Sequence, residues 1–422
     1  VISRCEQSYE IVQELLKYGA ITSHLDEHQR SPLYLACENG RAELLALLLG
    51  AGADIFQKNC DALTACHVAA CCGHCSCIST LLEAAREQNP EKVTGLLGAV
   101  DSDGRTSLHC AVEHNQIEAA ELLIRSGSNI DALTKRGWSC LHICASRNQL
   151  SLLRRLLEYS PQVNITDIDM LNTPLHVACQ YGFRDIAEEL VSFGASISMR
   201  NKWQETALHY PAALEFSEPL RKTGDMWKVI ATIEFSKDGD LSLLDVLVTS
   251  GAYVNSRNAG GDTPLHWATS RGHYHVVKWL LEKESCLIDE KNALQLTPLM
   301  VACMHPCKTT VPILRALLGR NASLTHTDRA GQTPLHLAAF SLCSKEAVMH
   351  LIGCGAHIQA VDLQGRTPLW VAVHAQNLGA TEALLDAGAD PNRQNSQGEP
   401  ALHVAIANVS LPLVALLLER GA

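Results

Sequence analysis

Seven thiol and imidazole side chains fall within twelve residues: Cys66, His67, Cys71, Cys72, His74, Cys75 and Cys77. Cysteine sulfur and histidine nitrogen are the ordinary ligands of zinc, so this is where metal chemistry would be sought first. Zinc takes four ligands converging as a tetrahedron, whereas a helix through Cys66 to Cys72 sends its side chains outward around its own axis. His67 and His74 also stand at positions that recur along the chain, and Cys66 and Cys77 occupy apolar slots. Only Cys71, Cys72 and Cys75 are left without such a role. Neither zinc nor any other cofactor is expected.

A second set of reactive side chains is dispersed. His67, His109, His142, His176, His209, His266, His336 and His403 occupy one place in a recurring tetrad. Eight copies of one histidine imply one structural task done eight times, not general acid–base catalysis. No phosphate-binding GxxxxGK[ST] loop, GxSxG elbow, HExxH pair or kinase signature is present. The paired carboxylates Glu188 and Glu189, and Asp289 and Glu290, fall on expected solvent faces. No catalytic residue is assigned, and the segment is not read as an enzyme.

The elements that place these side chains follow from the tetrad, a variant of Thr-Pro-Leu-His beginning at Ser31, Thr64, Thr106, Ser139, Thr173, Thr206, Thr263, Thr297, Thr333, Thr367 and Pro400. Most steps between copies are 33 or 34 residues, the length of a stacked helical repeat. The Thr hydroxyl can accept from a first-turn N–H, and Pro has no N–H to leave unpaired. A second apolar stretch follows at helical spacing, as in Ile186, Leu190 and Val191, or Val276, Val277, Leu280 and Leu281. Each period then closes in Gly-Ala and a polar bend, as in GASISMRNKWQE. The expected unit is helix, turn, helix, exposed loop.

Copies such as NTPLHVACQYG from Asn172 and DTPLHWATSRGH from Asp262 resemble the ankyrin repeat, and the resemblance extends over nearly the whole chain. It implies an all-α solenoid of stacked helix-turn-helix units with hairpin loops, about twelve in number. It also implies that the tetrad histidine hydrogen-bonds backbone between adjacent units, a bond lost where Tyr34, Met300 and Trp370 replace it. Ankyrin partners commonly lie in a concave groove formed by hairpin tips and the ends of first helices. Matched residue by residue, those positions include Glu38, Glu113, His114, Gln180, Tyr181, Arg271 and Phe340 on helices and Trp138 and Trp203 on hairpins. Aromatic and Arg side chains most often carry interface energy, which singles out Trp138, Tyr181, Trp203 and Arg271. Hydroxylation of hairpin asparagines is a further family possibility, for which Asn164, Asn255 and Asn392 match the slot.

Two steps break the period. The 42-residue step from Thr64 to Thr106 adds about nine residues, expected to lengthen the second helix or its exit loop. The 57-residue step from Thr206 to Thr263 carries about 24 extra residues between one unit's two helices. Met226, Trp227, Val229, Ile230, Ile233 and Phe235 make that insert too apolar for a solvated loop; it either covers neighbouring units or docks a partner. Pro211, inside the preceding helix, is expected to end or weaken it at a cost of about 3 kcal/mol. The expected organisation is a partial repeat at 1–30, a first block at 31–216, the insertion at 217–240 within the repeat starting at 206, and a second block at 241–422.

Composition limits the function. A net charge of −11 lacks the basic footprint of a nucleic-acid binder, and no apolar run is long enough to span a bilayer. An odd total of 17 cysteines, several filling one small-residue slot (Cys37, Cys179, Cys303), points to reduced thiols and a cytoplasmic or nuclear setting. The chain begins at Val1 and stops at Gly421-Ala422, as a piece of something longer would. The expected function is a scaffold or adaptor binding a partner protein, by peptide segment or domain, through the groove. The alternatives are a regulatory or tethering domain of a membrane channel or acyltransferase, and the substrate-recruiting arm of a ubiquitin ligase.

Overall fold

The computed structural model describes residues 8–213, 241–341 and 343–422. Their secondary structure is helical, with a single bridge between Gln394 and Pro400 as the only β pairing among the described residues. The chain divides into two compact units, Val1–Lys202 and Trp203–Ala422. In the first, the helix Ser8–Lys17 is followed by the pairs Pro32–Glu38 and Ala42–Gly50, Ala65–Cys72 and Cys75–Gln88, Ser107–Glu113 and Ile117–Arg125, Cys140–Arg147 and Leu150–Leu157, and Pro174–Gln180 and Arg184–Ser192. In the second, His209–Ala213 and Leu241–Thr249 lead into five further pairs that begin at Pro264, Pro298, Pro334, Pro368 and Ala401. The insert residues Met226, Trp227 and Phe235 lie outside the described residues.

The tetrad starts each first, or inner, helix by hydrogen bonding. Thr106 is extended, its hydroxyl accepts the His109 N–H, and its own N–H donates to His109 Nδ1 at 3.2 Å. The same reciprocal cap forms at Thr64, Ser139, Thr173, Thr263 and Thr333. Because a backbone N–H can only donate, Nδ1 holds a lone pair and the ring proton sits on Nε2. That proton reaches the next repeat: Nε2 of His67, His142, His266 and His336 lies 3.0–3.1 Å from the carbonyl oxygens of Arg105, Asn172, Leu296 and Arg366. His209 makes the same bond across the insert, to the Asp262 carbonyl. The last copy, His403, is exposed.

Packing completes the stack. Inner helices are buried nearly all round, as at Leu108, Cys110, Ala111 and Val112, while outer helices bury one stripe, as at Ala119, Ala120 and Leu123. Small side chains let neighbouring inner helices approach, and Cys37, Cys179 and Cys303 fill that slot with no exposure. Hairpins pair in sequence, with Ser102 N donating to Asp61 O, Lys135 N to Asp103 O, and Ile168 N to Arg136 O. Asn164 and Asn255 each tie one exit loop to the next through both amide atoms. Where the histidine is replaced, burial substitutes for the bond: Met300 is fully buried, and Trp370 stacks on His374 with its ring centroid 5.2 Å away.

Both interruptions have structural consequences. The second helix after Thr64 is lengthened to Cys75–Gln88, and the remaining residues form an additional helix, Pro90–Leu97. Asn89 caps it by accepting the Glu91 N–H, and Val93, Leu96 and Leu97 are buried. This segment is folded core, not exit loop. Pro211 lies third in a helix that begins only at His209, within the first turn, where no intrahelical acceptor awaits its missing N–H.

Two predictions follow from this frame. Burial pushes the rings of His67, His142, His266 and His336 below their usual pKa, and His109 down to about 4. The unfolded chain then binds more protons below about pH 6.5, so stability is lost as pH falls from there toward the folded values. Thermal melts should show the midpoint dropping by about 5 °C or more between pH 6.5 and 5; an unchanged midpoint would contradict the neutral rings. Gly137 sits at φ +77°, and a Cβ there would lie 2.6 Å from the Ile168 nitrogen. Gly137→Ala should therefore cost about 1–3 kcal/mol, against about 1 kcal/mol or less for Gly52→Ala, where a Cβ meets nothing within 4 Å. Equal losses in denaturant melts would show that the hairpin contact does not matter.

Candidate functional site

Each buried inner helix leaves two positions open at its C-terminal end, seven and eight residues after the tetrad begins. In the first unit these are Glu38 and Asn39, Cys71 and Cys72, Glu113 and His114, Ser146 and Arg147, and Gln180 and Tyr181. The carboxylates among them are already engaged. Glu113 lies between two guanidinium groups, Arg105 at 2.8 Å and Arg147 at 2.5 Å. Arg105 also holds Asp101 at 2.8 Å. Burial opposes ionisation of Asp101, but the Arg105 N–H and guanidinium outweigh it and keep that carboxyl below its usual range. Glu38 pairs with Arg30 at 3.3 Å, and Arg30 in turn with Asp26. A cationic ligand would have to displace one of these arginines.

The aromatic residues of this unit are partly structural. Trp138 stands on the return arm of its hairpin, half-buried, and stacks on His142 at 6.2 Å between ring centroids. Tyr181 caps its helix and stacks on Phe183 at 6.0 Å. His114 is exposed, its Nδ1 donating to the Cys110 carbonyl at 3.0 Å. Ile168, at the neighbouring hairpin tip, is 65% exposed.

In the second unit the equivalent positions form a different row. Arg271 is exposed at the end of Pro264–Arg271, Met304 and His305 end the next inner helix, Phe340 the one after, and His374 follows. Phe340 is 56% exposed. Hairpin tips add Trp203, Leu294 and Leu363, all exposed apolar side chains. Gln204 takes φ +60° where Gly is usual, so the turn beside Trp203 keeps its shape. Met304, Leu294 and Leu363 were missed by sequence reading because it weighted aromatic and Arg side chains. The repeat register alone would have found them.

The cysteine cluster does not converge. Cys66 and Cys77 are buried on different helices, Cys72 is exposed, and Cys71 faces the following repeat. Among the described residues no three His, Cys, Asp or Glu side chains are arranged to hold a metal ion. No helix of the described residues is long and apolar enough to cross a membrane.

The chain matches the family model for ankyrin repeats, in overlapping windows over residues 2–220 and 232–422. It is similar to human transient receptor potential cation channel subfamily A member 1, 25% identical over 74% of this chain and 26% of that protein. It is also similar to a putative palmitoyltransferase ZDHHC13 of Danio rerio, 30% identical over 57% of this chain and 33% of that protein. Among solved structures, the ankyrin repeat domain of Bcl-3 aligns with 47% of this chain and 86% of its own, at 29% identity and a TM-score of 0.43. The chain thus spans about a quarter to a third of the length of these two curated relatives. With the tetrad caps, the histidine bridges and the paired hairpins on the same repeat, the chain belongs to the ankyrin-repeat family.

Proposed function

We propose that the array is a protein-interaction platform, a scaffold or adaptor whose contact surface is the row of inner-helix ends and hairpin tips. The observation that supports this most is the second unit's row of Arg271, Met304, Phe340 and His374, open side chains on a fully buried frame. Such a frame is ordered before binding, so a partner pays little entropy to organise it. Exposed aromatic, Met and Arg side chains suit a protein segment that brings apolar anchors and a carboxylate for Arg271. Ankyrin repeats are commonly interaction modules and typically non-enzymatic, which agrees with this reading.

A second reading is favoured by the relatives whose names are those of a cation channel and a palmitoyltransferase. On it, the array regulates or tethers a membrane protein whose active part lies elsewhere in the polypeptide. A cytoplasmic setting belongs to both readings and is proposed with them. The two differ in whether the partner is a separate protein or the remainder of the same one.

Proximity labelling in cells tests the surface. Trp138 is a poor probe, since truncating it would also disturb His142. Arg271→Ala combined with Phe340→Ala removes exposed groups without touching the core, so the melting midpoint should stay within about 1–2 °C. The labelled set should lose one or more proteins, and affinity for a recovered partner should fall about tenfold or more. An unchanged set and unchanged affinity would remove this row from the proposal.

A further inference from the structure

We infer that the partner of the second unit's row is an extended peptide segment with one carboxylate followed by apolar side chains at every third residue, an acid-x-x-apolar-x-x-apolar pattern read by Arg271, Met304 and Phe340 in that order. This rests on the row being the contact surface and adds which sequence it selects.

The first unit shows what Arg271 lacks. Arg147 stands eight residues after its tetrad begins, as Arg271 does, and holds Glu113 of the preceding repeat at 2.5 Å. In the second unit the register position of Glu113 falls on Ala213, so the chain supplies no such carboxylate to Arg271. Arg271 is exposed and has no ion pair among the described residues. Hairpin carboxylates of this unit are held within their own turns: Asp328 accepts the Gln332 N–H at 2.8 Å, and Asp362 pairs with Arg366 at 2.7 Å. A partner's Asp or Glu on Arg271 would complete the pair that Arg147 makes internally, as a charge-assisted bond.

Spacing along the row follows from the stack. The inner helices Pro264–Arg271, Pro298–Met304 and Pro334–Phe340 pack in succession. Packed helices lie about 8–10 Å apart, and an extended chain advances about 3.3 Å per residue, so successive repeats are met by every third residue. An α-helical ligand rises only about 1.5 Å per residue and would need its anchors about six residues apart. Met304 is 37% and Phe340 56% exposed, each at the end of a helix otherwise buried. An apolar side chain laid against each removes that area from water without moving the frame.

The test is a fluorescence-anisotropy titration of the purified chain against a fluorescein-labelled peptide, Ser-Asp-Ser-Gln-Leu-Ser-Gln-Leu-Ser. One control peptide has Lys for Asp; another carries the same Asp and two Leu seven residues apart in a helix-forming background. The first peptide should bind about tenfold or more tighter than either control. Arg271→Glu should weaken the Asp peptide and strengthen the Lys peptide, each about tenfold. Phe340→Ala should weaken the Asp peptide while keeping its preference over Lys. Both positions are exposed, and the melting midpoint of each variant checks its fold. Equal affinity for the Asp and Lys peptides, tighter binding of the helical peptide, or no reversal with Arg271→Glu would overturn the inference. If the Arg271→Ala and Phe340→Ala variant loses a labelled protein while the peptides show no preference, the row remains a contact surface and only the pattern falls. If neither effect appears, both readings fall.

Discussion

The array depends on a bond that each repeat cannot make for itself. At His67, His142, His209, His266 and His336 the ring accepts the N–H of its own helix cap on one nitrogen and donates from the other to a carbonyl of the following repeat. The ring must therefore be neutral, which burial favours, and of one tautomer, which the cap N–H fixes. Helix initiation, which is local, and stacking, which is not, are joined in one side chain. Stability in such a chain is carried by nearest-neighbour interfaces, so each histidine contributes to a coupling rather than to a single helix. Tyr34, Met300 and Trp370 show the alternative, in which apolar volume holds the interface and the directional bond is given up.

What the sequence disclosed was whatever repeats. The Thr-Pro start, the buried slots of Cys37, Cys179 and Cys303, and the helix pairs were all legible because eleven copies average out local accident. The extra helix Pro90–Leu97 was read as lengthened helix or loop, although Asn89-Pro90 carries a cap and a first-turn proline that argue for a new start. At the site, the spacing found Glu113 but not its partners. Arg147 lies 34 residues away and Arg105 meets it only because the hairpin folds back, so the pairing is a property of the stack. Trp138 likewise read as an exposed anchor until its stacking on His142 placed it half inside the frame.

The same register positions carry different chemistry in the two units, and this bears on what each can bind. In the first unit the acidic residues are neutralised by arginines of the same and adjoining repeats, which reinforces the stack and leaves little net charge to attract a cation. In the second, Met304 and Phe340 lie exposed with Arg271 and His374 in the same row. Apolar area with a few directional polar groups is the usual composition of a binding surface. Exposed positions such as Arg271, Met304 and Phe340 lie outside the buried helix contacts, so they can vary without disturbing the repeat. Repeat identity and binding identity are for that reason written in different residues.

Cysteine shows how far position, rather than residue type, decides chemistry in this fold. Cys66, Cys144 and Cys303 lie wholly inside, where burial pushes the thiol up and leaves it inert as a small apolar group. Cys71 is five residues from Cys66 on the same short helix, yet it emerges at the row that other repeats of the first unit fill with Glu, Ser or Gln. A carboxylate at that position, Glu113, is held by Arg105 and Arg147, whereas the Cys71 carbonyl there accepts from the Gln116 side-chain amide of the following repeat. The cysteines crowded along the sequence are separated by the stack: Cys66 and Cys77 enter the core on different helices, Cys71 and Cys75 are half-buried, and Cys72 is exposed.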